Sequence, residues 1–437
     1  MSKEFNRTFV MIFSAILVFA GLLTVAPTTS SQSTGVATGP ARNAAIVATT
    51  EAVLKETSQL RELSIIRPVK SGAQSRAEIE RMVVKNLDED TTPGEMHATE
   101  VLLKKFGLAP MDFNYRPFVI KLLTEQVAGY YDPKVQRFYL ADWIELEGQK
   151  PVMAHELTHA LQDQHFNLRR FEKWPRGDSD AELATHSLVE GDATLAMTLY
   201  MAKNPMVALA FIRSLGGDGL SSEQFKQAPR AIRESLMFPY EEGLTWATQI
   251  YRRGGWKMVS EAFTKLPQST EQILHPDKYL SYEAPVKVDL PELRTLLGND
   301  WKRIDYDVNG EWGLYLILDE YLNDSSESKR ASAGWAGDRF ELLEGTKPQQ
   351  VCVAQMTVWD TENDAREFYD AYLKRTSLRY PDAQAHELTN LTAGNLGQRW
   401  QTSEGAVVLE LRGKRVAILE GVPAEANLKG LRDLMWR

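Results

Sequence analysis

The five residues His155-Glu156-Leu157-Thr158-His159 carry the chemistry that is most legible in this chain. Two histidines four residues apart project from the same side of a helix, one turn from each other. Both imidazoles can then reach one tetrahedral metal ion, and zinc takes nitrogen ligands of this kind. Glu156 stands beside them, where a carboxylate can take a proton from a water that the ion activates. The spacing predicts one Zn²⁺, a general base next to it, and a hydrolase. The surroundings agree. Pro151 suits a first helical position after Gly148, and Met153, Leu157, Ala160 and Leu161 form an apolar stripe beside the pair. The competing reading is a solvated helix face with two ordinary histidines.

With these residues in place, the motif and the wider run His155–Phe166 resemble the zincin superfamily of metallopeptidases, in an exported bacterial form. The resemblance covers residues 125–205, with a weaker echo at residues 266–282. It implies a zinc peptidase that hydrolyses peptide bonds of a peptide or protein substrate.

A zinc hydrolase normally uses three protein ligands and leaves a fourth position open. His155 and His159 supply two, and three residues compete for the third. Residues 180–203 read as a second helix, with Leu183, Leu188, Val189, Leu195, Ala196 and Leu199 on its apolar side. Glu182, His186 and Glu190 share one stripe of it. A carboxylate in so apolar a helix needs a partner, because burying it alone is expensive. Gly191 lets a neighbouring backbone come close, which could bring Glu190 to the histidines. That arrangement resembles the gluzincins, where a glutamate on a following helix completes the metal site. His165 has the spacing that metzincins use for a third histidine. Those enzymes break the helix with a glycine where this chain has Gln162. In a continuous helix His165 would point about 120° away from His159. His186 could orient a ligand or touch substrate. Asp163 and Asp192 could fix the histidine tautomers, or be solvated acids.

In such a mechanism a further group stabilises the tetrahedral oxyanion. His275, in Ser269–Pro276, is the candidate for this catalytic role, against a reading as a helix-end residue before Pro276. Tyr279 and Tyr282 are nearby, with packing the better reading. Tyr130–Leu140 reads as a hairpin turning at Asp132-Pro133. Zincins place an edge strand above the metal, and the resemblance puts that role on residues 135–141.

Lys3 and Arg7 precede an apolar run from Phe9 to Val25, which looks like a signal peptide or an N-terminal membrane anchor. This predicts an exported protein, periplasmic, secreted or tethered at the cell surface. Residues 31–50, rich in Thr, Ser, Ala and Gly, read as a linker. The single cysteine, Cys352, excludes an intrachain disulfide and reads as a buried strand residue. The net charge of −9, without a long basic block, argues against nucleic acid as a partner.

The expected fold class is α+β. Residues 51–295 form a mainly helical zincin-like metallopeptidase domain with a small sheet. Residues 300–437 form a smaller, strand-rich α+β C-terminal domain with no role assigned. In that second part Gly310–Leu322 reads as a helix, and Gly334–Arg339 as a turn before a strand at Phe340–Leu343. Val351–Trp359 follows as a strand, and Asp360 is the expected N-cap of a helix to Leu378. Three short strands and a closing helix at Ala424–Met435 complete it. Two other functions fit the same residues: a zinc hydrolase of a non-peptide amide or ester, and a binding protein that keeps the fold without turnover. An intact Glu156 argues against the latter.

Overall fold

The computed structural model describes residues 40–171, 177–215, 223–347, 349–389 and 391–437. The apolar run at residues 9–25 lies outside them. Among the described residues no single helix is long and apolar enough to cross a membrane.

The fold is α+β, mainly helical through its first two thirds and sheet-based at the end. A small sheet comes first, formed by β1 (Lys70–Gln74), β2 (Gly129–Asp132) and β3 (Arg137–Ala141) in the order β1-β3-β2. β3 pairs in parallel with β1 and antiparallel with β2. It is therefore the central strand, with both edges hydrogen-bonded. This corrects the edge-strand expectation for residues 135–141. Val135 lies exposed outside the strands.

A helix spans Pro40–Arg61 and corrects the linker reading for residues 40–50. Ala41, Ala44, Ala45 and Ala48 favour it. Its buried Ile46, Val53 and Leu54 join Leu157 and Leu161 of the histidine helix in one apolar cluster. The histidine helix runs Leu146–Phe166, so Pro151 lies inside it rather than at its first turn. Leu146, in the turn before the proline, packs against the cluster that includes the small-sheet residues Tyr131, Phe138 and Leu140.

Two long helices carry the middle of the chain, Ser179–Lys203 and Arg230–Ala262. They meet at a glycine pair. A Cβ on Gly191 would lie 2.2 Å from the Gly243 carbonyl oxygen, and one on Gly243 would lie 2.4 Å from that of Ser187. Gly191 does permit a close backbone approach. The partner, however, is the Arg230–Ala262 helix and not the histidine helix. The Arg230–Ala262 helix bends at Gly254-Gly255, where Gly255 has φ 63° and ψ −165°, a conformation open essentially to glycine alone.

The C-terminal part is an antiparallel sheet of seven strands: β4 (Lys302–Asp307), β5 (Trp335–Glu344), β6 (Val351–Trp359), β7 (Ala385–Glu387), β8 (Leu396–Thr402), β9 (Gly405–Arg412) and β10 (Arg415–Val422). Their spatial order is β4-β5-β6-β10-β9-β8-β7. β5 starts at Trp335, so the segment expected as a turn is already strand. The helix after β6 is Glu362–Arg379, and its N-cap is Thr361, one residue beyond the expected Asp360. The closing helix starts at Leu428. Alternation along the strands sends Val407 and Leu409 to one face and Val408 to the other, and both faces are buried. Cys352 is buried in β6, and burial pushes its thiol up to about 12, which leaves it a packing residue. The apolar cluster on one face also contains Leu188 and Val189 of the Ser179–Lys203 helix. The C-terminal sheet is thus linked to the helix that carries Glu190 through one apolar cluster, with side chains of the Arg230–Ala262 and Gly310–Leu322 helices in the same cluster.

Gly191→Ala tests the packing of the two long helices at their glycine contact. The added methyl has backbone in its path, and overpacking of this kind costs roughly 1–3 kcal/mol. Urea unfolding should show the loss. A variant as stable as the wild type would mean that the helices can separate at no cost.

Candidate metal centre

Three donor atoms converge between the histidine helix and the Ser179–Lys203 helix. His155 Nε2 and His159 Nε2 lie 3.1 Å apart. Glu190 Oε2 lies 3.0 Å from the first and 3.4 Å from the second. All three side chains are at most 1 % exposed. Donors about 2.0–2.1 Å from a tetrahedral zinc sit roughly 3.3–3.4 Å from one another. The trio therefore fits such an ion, and two imidazoles with one carboxylate form a donor set typical of hydrolytic zinc. His165 is elsewhere, with Nε2 on the Ser64 carbonyl at 2.8 Å, so the helix continues through Gln162 and carries it away. His186 lies one turn before Glu190 and faces the same region, and burial lowers its imidazole against the pull of Glu190.

Gln162 sets the tautomer of His159. Its Nε2 donates to the Val189 carbonyl at 3.0 Å and to Asp192 Oδ2 at 2.8 Å. Its Oε1 must then face His159 Nδ1, 2.8 Å away, and Nδ1 carries a hydrogen. The lone pair of the neutral ring is left on Nε2, among the other donors. Asp192 is anchored in turn by the Arg61 fork, with contacts of 2.5 and 3.1 Å. Arg61 also lies over the Trp256 ring and donates to Ser260 Oγ at 3.1 Å. Asp192 thus acts on His159 through Gln162. Asp163 does not touch a histidine; it accepts from the Tyr131 hydroxyl and Arg67, both at 2.9 Å. The sequence contained no signal for Gln162 or Arg61, because their role exists only once three helices meet.

Glu156 is fully buried on the same helix as the two histidines. One oxygen, Oε2, accepts from the Tyr131 N–H of β2 at 2.8 Å, and Oε1 has no hydrogen-bond partner among the described residues. β2, rather than β3, is therefore the strand beside the base. Tyr240, from the Arg230–Ala262 helix, stacks on His155 with ring centres 6.1 Å apart, and its hydroxyl reaches Glu190.

His275 is not brought to this group, which corrects its expected role. It ends the helix Thr270–Leu274 and begins Pro276–Ser281, the helix-end reading, and its Nε2 pairs with Glu311 Oε1 at 2.9 Å. Its charged neighbours are Glu311, Glu271 and Lys278. Tyr279 and Tyr282 are packing residues whose hydroxyls donate to the carbonyls of Lys265 and Leu266.

The electrostatics are those of a buried charge cluster. Burial alone would lower the His159 imidazole, but Glu190, with Glu156 behind it, outweighs that and holds it up to about 9. Burial would raise Glu190, yet the two imidazoles hold it well below the usual carboxylate range. Burial lowers His155, with Glu190 opposing. Glu156 is pushed well above the usual carboxylate range by burial and by Glu190, against the pull of His159. Burial and the two carboxylates push the Tyr240 phenol up, so it stays a donor.

A mainly helical α+β chain with a buried His/His/Glu centre is the class that fold and site define. Residues 295–432 match the model of a family described as a domain of unknown function, DUF8575. The match spans the C-terminal sheet and leaves the histidine and Glu190 helices outside it. No curated protein and no solved structure matches the chain.

Elemental analysis after loading with zinc should give near one ion per chain, lost in His159→Ala and Glu190→Ala and kept in His165→Ala and His275→Ala. Gln162→Ala should retain the site with affinity weakened about 10–100-fold. Zinc retained by Glu190→Ala would remove it from the ligand set.

The proton on His159 competes with a metal ion, so zinc affinity should rise with pH until about 9 and then level. Stability of the chelated protein should move the other way. A raised histidine contributes its full share below its ordinary 6.5 and loses it as pH passes about 9. The raised Glu156 also favours the folded state more strongly in acid. Thermal melts in chelator from pH 6 to 9.5, beside competition with a zinc indicator, measure both slopes. A chelated protein that gains stability across that range would contradict the assignment.

Proposed function

We propose that the chain is an exported zinc metallopeptidase of gluzincin type. The observation that carries the reading is the convergence of His155, His159 and Glu190 at zinc-ligand spacing, with the free oxygen of Glu156 on the same helix. Zinc bound by this trio supplies Lewis acidity, polarising a carbonyl oxygen and acidifying water. The protein's own groups do the rest. Glu156 takes the proton of the attacking water at Oε1 and delivers it to the leaving amine. Tyr131 N–H holds Oε2 and keeps the carboxyl oriented, and burial keeps its proton affinity high enough for both tasks. Gln162, backed by Asp192 and Arg61, holds the His159 ring with Nε2 inward. Tyr240, beside Glu190 and protonated, takes the oxyanion role once expected of His275. The Phe9–Val25 run supports export.

Glu156→Gln separates binding from turnover. It keeps the shape of the side chain and removes the base. Zinc content should stay near one per chain, while cleavage of a quenched-fluorescent peptide library falls by about 10²–10⁴-fold. Unchanged cleavage, or none by the zinc-loaded wild type, would sink the peptidase reading.

A further inference from the structure

The wall of one mostly apolar cavity includes Glu190, His186 and Tyr240, so it adjoins the metal centre. Its volume is about 310 Å³. An apolar cavity of roughly 150 Å³ is enough to hold benzene. The space therefore exceeds one aromatic ring and suits a longer apolar group. Its lining is mostly hydrocarbon. The helices Pro93–Phe106 and Tyr115–Gln126 contribute Leu102, Phe106 and Leu122, and the helix Gly310–Leu322 contributes Trp312 and Leu316. A void of this kind destabilises a fold in proportion to its volume unless something fills it.

We propose that this cavity is the recognition pocket for a large apolar group of the substrate, next to the bond to be cut. The C-terminal part completes it: Trp312, Leu316 and Phe340 belong to residues 295–432, the stretch matched by the family of unknown function. That module is thus a wall of the binding site and sets its size. The inference rests on the metallopeptidase reading only for the chemistry next door, because the pocket itself needs no metal. Two sources share the required chemistry: two adjacent bulky apolar side chains of a peptide, or the acyl chain of an acylated peptide.

The test uses the full chain and the uncharged probe N-phenyl-1-naphthylamine, followed by fluorescence with zinc and with chelator. Leu316→Trp narrows the pocket from the C-terminal side, and Ser235→Phe narrows it from the Arg230–Ala262 helix. Each should weaken probe binding at least about tenfold, a typical effect of reshaping an apolar pocket. Zinc content and melting temperature report whether a variant has folded, and either folded variant suffices. Competition then names the source. Displacement by N-dodecanoyl peptides alone identifies an acyl chain, and displacement by peptides with paired Phe or Leu residues identifies side chains. Absence of probe binding, binding unchanged in both folded variants, or equal displacement by Gly/Ser peptides would overturn the proposal. Probe binding in a chain that takes up no zinc would overturn the peptidase reading and leave the pocket standing.

Discussion

The burial of Glu190 between two imidazoles is the constraint to which the other features answer. A carboxylate taken out of water is tolerated only when opposite charge and hydrogen bonds replace the solvent. Here the compensation comes from a histidine pair whose own burial would otherwise favour the neutral form. Neither partner is at ease without the other, so helix positions must be fixed to a fraction of an ångström. The glycine contact at Gly191 and Gly243 fixes the depth of the Glu190 helix. The chain Arg61–Asp192–Gln162 fixes the rotation of His159. The Tyr131 N–H fixes Glu156 from the sheet side. Backbone, ion pair and strand thus each restrain one member of the cluster.

The scaffold is organised around these restraints. The histidine helix packs the small sheet and the Pro40–Arg61 helix on one side, and the Glu190 helix joins the large apolar cluster on the other. The seven-stranded sheet contributes to that cluster from below, through Phe340, Val353 and Leu409. One apolar cluster therefore spans both regions and links the C-terminal sheet to the Glu190 helix through packed side chains.

Much of this was legible from spacing. His155, Glu156 and His159 lie within one turn, so local periodicity was enough to bring them together, and Glu190 followed from an acid embedded in an apolar helix. The strand β6 was legible from the alternation of its Val351–Val358 run, and the short strands β8, β9 and β10 from the turns at Gly405 and Gly413 between them. What stayed hidden depended on distant partners. β1, with the sequence Lys-Ser-Gly-Ala-Gln, has no apolar alternation and becomes a strand only because β3 offers it an edge. Its presence is why residues 137–141 are central. Pro151 signalled a helix start, but the helix begins at Leu146, which packs against the small-sheet cluster. His275 had the right type in a suggestive place, yet Glu311, 36 residues away, claims its imidazole. Pairings across such separations leave no periodic trace.

The fork between Arg61 and Asp192 bears on how such a protein could be held silent. Many proteases are kept inactive by a detachable leading segment. The helix Pro40–Arg61 is poorly suited to that purpose, for its last residue supplies the one cation that, among the described residues, pairs with the buried Asp192 beside the His155, His159 and Glu190 group. Trimming it away would leave the buried Asp192 carboxylate without its cation and loosen the anchor of Gln162. Any cut that leaves this ion pair intact has to fall on the N-terminal side of the helix, so the Pro40–Arg61 segment belongs to the folded core and not to a detachable leader.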